Sequence, residues 1–267
     1  MFNVRLIKAE GLRRVIVLSF YLAAFIASVF IVSSNADIAQ KASCLIVFIL
    51  LPFGLWFEYK RYIYVKSNHE LNDLDQPQAC LDHTRFVMKY DFLLKQYQNL
   101  APFQEGYALI DLNQINNVES VLESRFGKKY EKSKNLNFEH SYLLFQTAAL
   151  KKDQKKVKEY YQQLDKVFNA QNRLSKDLIT LRHYIDGIYY VCINENSKAL
   201  DHFENLDTEA FKRRELTYYY YFSAKAYMLD QNYASAESYY AKAKELSPNN
   251  TFIVNHPIHS VKTKIMP

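Results

Sequence analysis

Two uncharged apolar runs near the N-terminus constrain this 267-residue chain more than any other feature. Residues 15–33 (VIVLSFYLAAFIASVFIVS) hold no charge, no Pro and no Gly over 19 positions. At about 1.5 Å per helical residue, such a run covers nearly the hydrocarbon core of a bilayer. Residues 42–57 form a second uncharged run of 16 that contains Pro52 and Gly54. A membrane helix tolerates the Pro, with a kink expected there. Trp56, Tyr59, Tyr62 and Tyr64 follow, as side chains anchored at a membrane interface would. The eight residues SNADIAQK between the runs are enough only for a tight turn. The expectation is a transmembrane helical hairpin within residues 15–64.

Charge placement gives this hairpin an orientation. Arg5, Lys8, Arg13 and Arg14 precede the first run, Lys60, Arg61 and Lys66 follow the second, and the loop carries only Lys41. By the positive-inside rule both ends are then cytosolic, residues 1–14 being a basic N-terminus. Residues 1–66 hold 8 Lys/Arg against 3 Asp/Glu, and residues 67–267 hold 26 against 25. The excess positive charge therefore marks topology, and nucleic acid is not expected as a partner. A cleaved signal peptide ending at SNA is the competing reading of the first run, but that run exceeds a usual signal core and a second follows at once. Cys44, Cys80 and Cys192 show no paired spacing, which fits free thiols in a reducing compartment. The surplus of Lys over Arg, with many Tyr and Asn, suggests a bacterial cytoplasmic membrane.

With 5 Gly and 6 Pro in the whole chain, tight turns are few, and an all-α protein is expected. Residues 65–79 are polar and read as a linker. From residue 80 helical periodicity dominates. Phe86, Tyr90, Leu93 or Leu94, and Tyr97 mark one helix; Ile115, Val118, Leu122 and Phe126 mark another, with Asn113 as N-cap and Gly127 as stop. Further on a repeat emerges. Tyr220, Ala224, Tyr227, Ala236, Tyr240 and Ala243 correspond to His183, Gly187, Tyr190, Ala199, Phe203 and Leu206, and then to Ser141, Phe145, Ala148, Val157, Tyr161 and Leu164. The offsets are 37 and 42 residues throughout. Small residues such as Gly187, Ala199, Ala224 and Ala236 let two helices approach closely, and aromatic residues fill the space to the next pair.

This pattern resembles the tetratricopeptide repeat (TPR). The match is fullest over residues 216–250, which end in Pro248, fair over 179–207, and partial over 137–165, where Phe145 stands in place of a small residue. Residues 80–127 offer a further, degenerate helix pair. The resemblance implies a cytosolic TPR-like α-solenoid over residues 80–255, with a tail from 256 to 267. It also implies a concave groove lined by the first helix of each pair, with Tyr142, Gln146, Tyr184, Ile188, Tyr218, Tyr221 and Lys225 as groove residues. Such a groove, rich in apolar and tyrosine surface, would hold an extended or helical peptide segment of a partner protein. It lacks the Lys/Asn arrangement that clamps an acidic chaperone terminus. The exposed face of residues 233–243 must meet the tail, a partner or a second copy of the chain, which leaves a homo-oligomer open.

Residues 128–158 carry 9 Lys and 3 acids. Lys151, Lys152, Lys155, Lys156 and Lys158 could lie on anionic lipid headgroups. The competing reading is a solvated turn beside the acidic module of residues 67–127, which has 9 acids and 4 basic residues. No catalytic motif stands out. His256 and His259 in HPIH lack further metal ligands, and Asp82–His83 and Asp201–His202 are helical neighbours that diverge by about 100°. No catalytic residue, metal or cofactor is expected. The functional expectation is a membrane-anchored scaffold or assembly adaptor, then a peptide-binding sensor, then an enzyme with an unrecognised site.

Overall fold

The computed structural model describes residues 4–34, 37–91, 95, 97–126, 134–170 and 175–258, and among these the chain is helical with no strand. Contacts divide it into two units, residues 1–63 and 64–267. The first holds α1 (Val4–Ser33) and most of α2 (Ile38–Asn72). Both helices are long and apolar enough to cross a membrane. Their side chains face outward to a degree that water would penalise, Phe30 being 76% exposed and Ile38 88%. Within the hairpin, Phe25 meets Phe48 edge-on at 5.6 Å, and Arg13 forks onto Glu58 at 2.8 Å through both terminal nitrogens. Pro52 lies inside a continuous α2.

The second unit corrects two expectations near its start. Residues 65–79 are largely helix: α2 runs to Asn72 and α3 (Pro77–Tyr90) begins five residues later. Ser67, Glu70 and Leu71 are buried there, with Glu70 accepting from His83 at 2.6 Å, so the polar stretch is satisfied from within. The helix read as far as Tyr97 ends at Tyr90, because the Asp91 carboxylate captures the Tyr97 backbone N–H at 2.6 Å. Leu93, Leu94 and Gly127 lie outside the described residues.

Four helical hairpins follow. They pair α4 (Ala101–Asp111) with α5 (Val118–Phe126), α6 (Lys134–Lys151) with α7 (Gln154–Asn169), α8 (Lys176–Cys192) with α9 (Asn196–Glu204), and α10 (Arg213–Leu229) with α11 (Tyr233–Leu246). Each first helix stops at a residue in the left-handed region: Asn113, Lys152, Asn194 and Gln231, with φ between 59° and 62°. The next N–H in each case bonds five residues back, as in Gln114 to Leu109 and Asn232 to Tyr227. Asn113 is thus the turn residue of the first hairpin, not an N-cap. Asp153 and Asn232 cap the following helices with their side chains.

Close approach within and between the hairpins rests on small residues. A methyl group at Gly187 would collide with the Phe203 ring, and one at Gly106 with Leu143. Ala199, Ala224 and Ala236 are fully buried. The last element, α12 (Thr251–Asn255), follows Pro248 and packs on α4 and α11.

The stack closes on itself. Arg214, at the start of α10, forks onto Asp111 at the end of α4, at 2.8 and 3.0 Å. Tyr218 donates to the same carboxylate at 2.7 Å, and Thr251 donates to the Asp111 carbonyl at 3.2 Å. Asn249 holds Asp75, its N–H donating to the carboxylate at 2.7 Å and its Nδ2 to the carbonyl at 3.0 Å. Asp111→Ala would strand the Arg214 guanidinium in the interior, so a loss of about 3–5 kcal/mol is expected in urea unfolding of the full chain. Gly187→Val should cost about 1–3 kcal/mol by the same measurement, because the Phe203 ring has to move.

Candidate functional site

Closure changes what the inner helices can do. Gln146, Tyr184, Ile188, Tyr218 and Tyr221 are each no more than 2% exposed, and Tyr142 is half-buried against Tyr107 and Phe138. The expected open groove is therefore replaced by a filled interior. Tyr107 of α4 and Arg214 of α10 sit over it, the guanidinium 4.6 Å from the Tyr107 ring centre and 4.8 Å from that of Tyr218. Burial pushes the Arg214 pKa down, and Asp111 beside it reverses the shift, so the group stays charged. Tyr218 belongs to this closure and is not free to meet a partner.

Space opens at the other end of the inner helices. A cavity of about 690 Å³ lies where α6, α8 and α10 reach their C-termini. Its walls include Leu150, Val191, Phe222, Met228 and Ile258, with Lys152, Asn194 and Gln231 from the hairpin turns at the same place. Of the seven residues expected in a groove, only Tyr221 and Lys225 line it. The volume falls in the range of about 300–1,000 Å³ common for small-ligand sites.

Lys225 is the chemically distinctive member. Its ammonium stands 4.4 Å from the Tyr221 ring centre and 5.3 Å from that of Phe222. Burial lowers its pKa to about 8, with a small opposing effect from Cys192. Burial also raises the Cys192 thiol to about 11, which leaves it protonated and unreactive near neutral pH. His256, on the cavity wall, stacks on Phe252 at 4.3 Å and its Nδ1 lies 2.8 Å from the Phe252 carbonyl oxygen. That contact gives His256 a structural partner; His259 lies outside the described residues.

The five lysines read as a lipid-facing set do not act as one. Lys156 holds both Glu119 oxygens at 2.9 Å, and Lys151 approaches the same carboxylate at 3.8 Å. Both turn toward the acidic preceding hairpin. Lys152 forms the hairpin turn and lines the cavity, while Lys155 and Lys158 are exposed.

Sequence reasoning missed the cavity because its walls are helix ends, whereas a stripe along a helix face marks only the middle. The signal was present in the turns: Lys152, Asn194 and Gln231 recur at the repeat offsets of 42 and 37.

Replacing Lys225 by Met should stabilise the full chain by roughly 1–2 kcal/mol near pH 7, a value held down by partial solvent access. A lysine depressed from about 10.5 to about 8 destabilises the fold below pH 8 and ceases to do so as pH approaches 10.5. The gain from Lys225→Met should therefore shrink across that window in thermal unfolding. No protein-family model, curated protein or solved structure matches the chain.

Proposed function

We propose that this chain is a membrane-anchored, non-catalytic binding module. In this reading its N-terminal hairpin spans a bacterial cytoplasmic membrane with both termini cytosolic, and its helical hairpins form a TPR-like solenoid. The solenoid senses a ligand, or the terminal segment of a membrane partner, and regulates or helps assemble that partner. The observation that carries this reading is the cavity at the hairpin turns, whose apolar wall holds a lysine with no acid beside it among the described residues.

Several features support it. The two long apolar helices supply an anchor, and anchoring raises the effective concentration of a membrane partner without any new contact. The matched left-handed turns and the constant repeat offsets support the TPR likeness. Closure through Asp111 and Arg214 favours a compact ligand over a long peptide laid along a concave face. This moves the sensor reading ahead of an open-groove scaffold.

Two measurements test it. The chain should remain with membranes through an alkaline carbonate wash and be released only by detergent; release by carbonate would remove the anchor. In cells, a photocrosslinking residue at Tyr233, on the cavity rim, should capture a discrete protein or small molecule that a probe at Lys155 on α7 does not. Leu229→Trp, which fills the cavity mouth, should abolish that capture. Identical capture from both positions, or capture indifferent to Leu229→Trp, would rule the cavity out as the binding site.

A further inference from the structure

Among the described residues, nothing acidic meets the Lys225 ammonium. The cavity walls carry Lys152, Lys225 and His256 as basic groups, with no Asp or Glu among the described residues that line it. The remaining titratable groups there are the Cys192 thiol and the phenols of Tyr221 and Tyr233, and burial raises both the thiol and the Tyr221 phenol. Three helix C-termini bring carbonyl dipoles nearby, but Ala149, Val191 and Met228 each already accept an N–H from their turn residue. The Cys192 carbonyl accepts from Gln154 Nε2 at 2.9 Å. Among the described residues the ammonium is thus left with the faces of two aromatic rings, which attract a cation weakly compared with a carboxylate.

We propose that the cavity binds an amphiphilic monocarboxylate, its carboxylate paired with Lys225 and its apolar body packed against Leu150, Val191, Phe222, Met228 and Ile258. This deepens the binding-module reading above and rests on it. A single partly buried ammonium suits one negative charge. A phosphate dianion would need a second buried donor, and Lys152, the other lysine lining the cavity, is exposed on its turn. A neutral ligand of the same shape would leave the lysine without a counter-charge, at a cost that a carboxylate removes. Two sources share this chemistry: a fatty acid, and the free C-terminus of an apolar peptide.

The test uses the full chain in nanodiscs of zwitterionic lipid, with isothermal titration calorimetry. Octanoate is compared with octan-1-ol, and N-acetyl-Leu-Leu-Val bearing a free carboxylate with its C-terminal amide. At least one carboxylate should bind about tenfold or more tightly than its uncharged counterpart, the order expected of a charge-assisted hydrogen bond. Preference for octanoate assigns the fatty acid, and preference for the peptide acid assigns the peptide terminus. Lys225→Met, which should fold at least as stably, is expected to bring each acid and its uncharged counterpart to within about twofold of each other. Octanoate binding that survives both Lys225→Met and Leu229→Trp is partition into lipid and overturns the inference. Octanol binding equal to octanoate but lost in Leu229→Trp also overturns it, while leaving the cavity as a binding site. Failure of all four probes to bind sinks both.

Discussion

The buried contact between Asp111 and Arg214 is the interaction on which the rest of the helical unit depends. It joins the end of the first inner helix to the start of the last, 103 residues later in the chain, with side chains 4% and 7% exposed. Two charges removed from water are costly unless geometry and further hydrogen bonds compensate. Here the fork is bidentate, Tyr218 completes the carboxylate, and two rings cover the guanidinium. The pair therefore acts as a specific latch. An apolar contact at the same place would bury surface equally well but would fix no orientation between α4 and α10.

Closure explains which surfaces remain for binding. The middles of the first helices of the pairs are buried and lose their solvent, whereas the C-terminal ends of α6, α8 and α10 line the cavity. Two cations on α10, Arg214 and Lys225, thereby acquire opposite characters eleven residues apart. One has a carboxylate and two rings; the other, among the described residues, has two rings and no acid. The first belongs to the architecture. The second is a standing electrostatic deficit in a space large enough for a ligand.

Much of the fold was legible in the sequence. The three repeat copies, the small residues at close helix contacts and the two apolar helices all follow from periodicity, which depends on local geometry alone. The hairpin of α4 and α5 was legible only as a degenerate pair within residues 80–127, and its register only in retrospect. Gly106, Val118 and Leu122 stand 39 residues before Phe145, Val157 and Tyr161, the same distance as Asn113 before Lys152. Its first helix, APFQEGYALID, carries little of the aromatic pattern of the later copies, so only the turn geometry exposes the kinship. The linker and the overlong third helix misled for a related reason. Polar residues such as Ser67, Glu70 and Asp91 signal solvent in a sequence, yet each found a partner within the fold.

By itself the sequence determined the elements: where helices run, which of them can cross a membrane, and that later hairpins repeat. Those properties depend on neighbours three, four or seven residues apart, and on an offset that survives along the chain. Tertiary structure alone decided that the stack closes, that the expected groove is interior, and that Lys225 faces a cavity with no acid among its described lining residues. Each of these depends on which of many acids reaches which base. Asp111 and Glu119 were two of nine in their module, and only packing assigned the first to Arg214 and the second to Lys156.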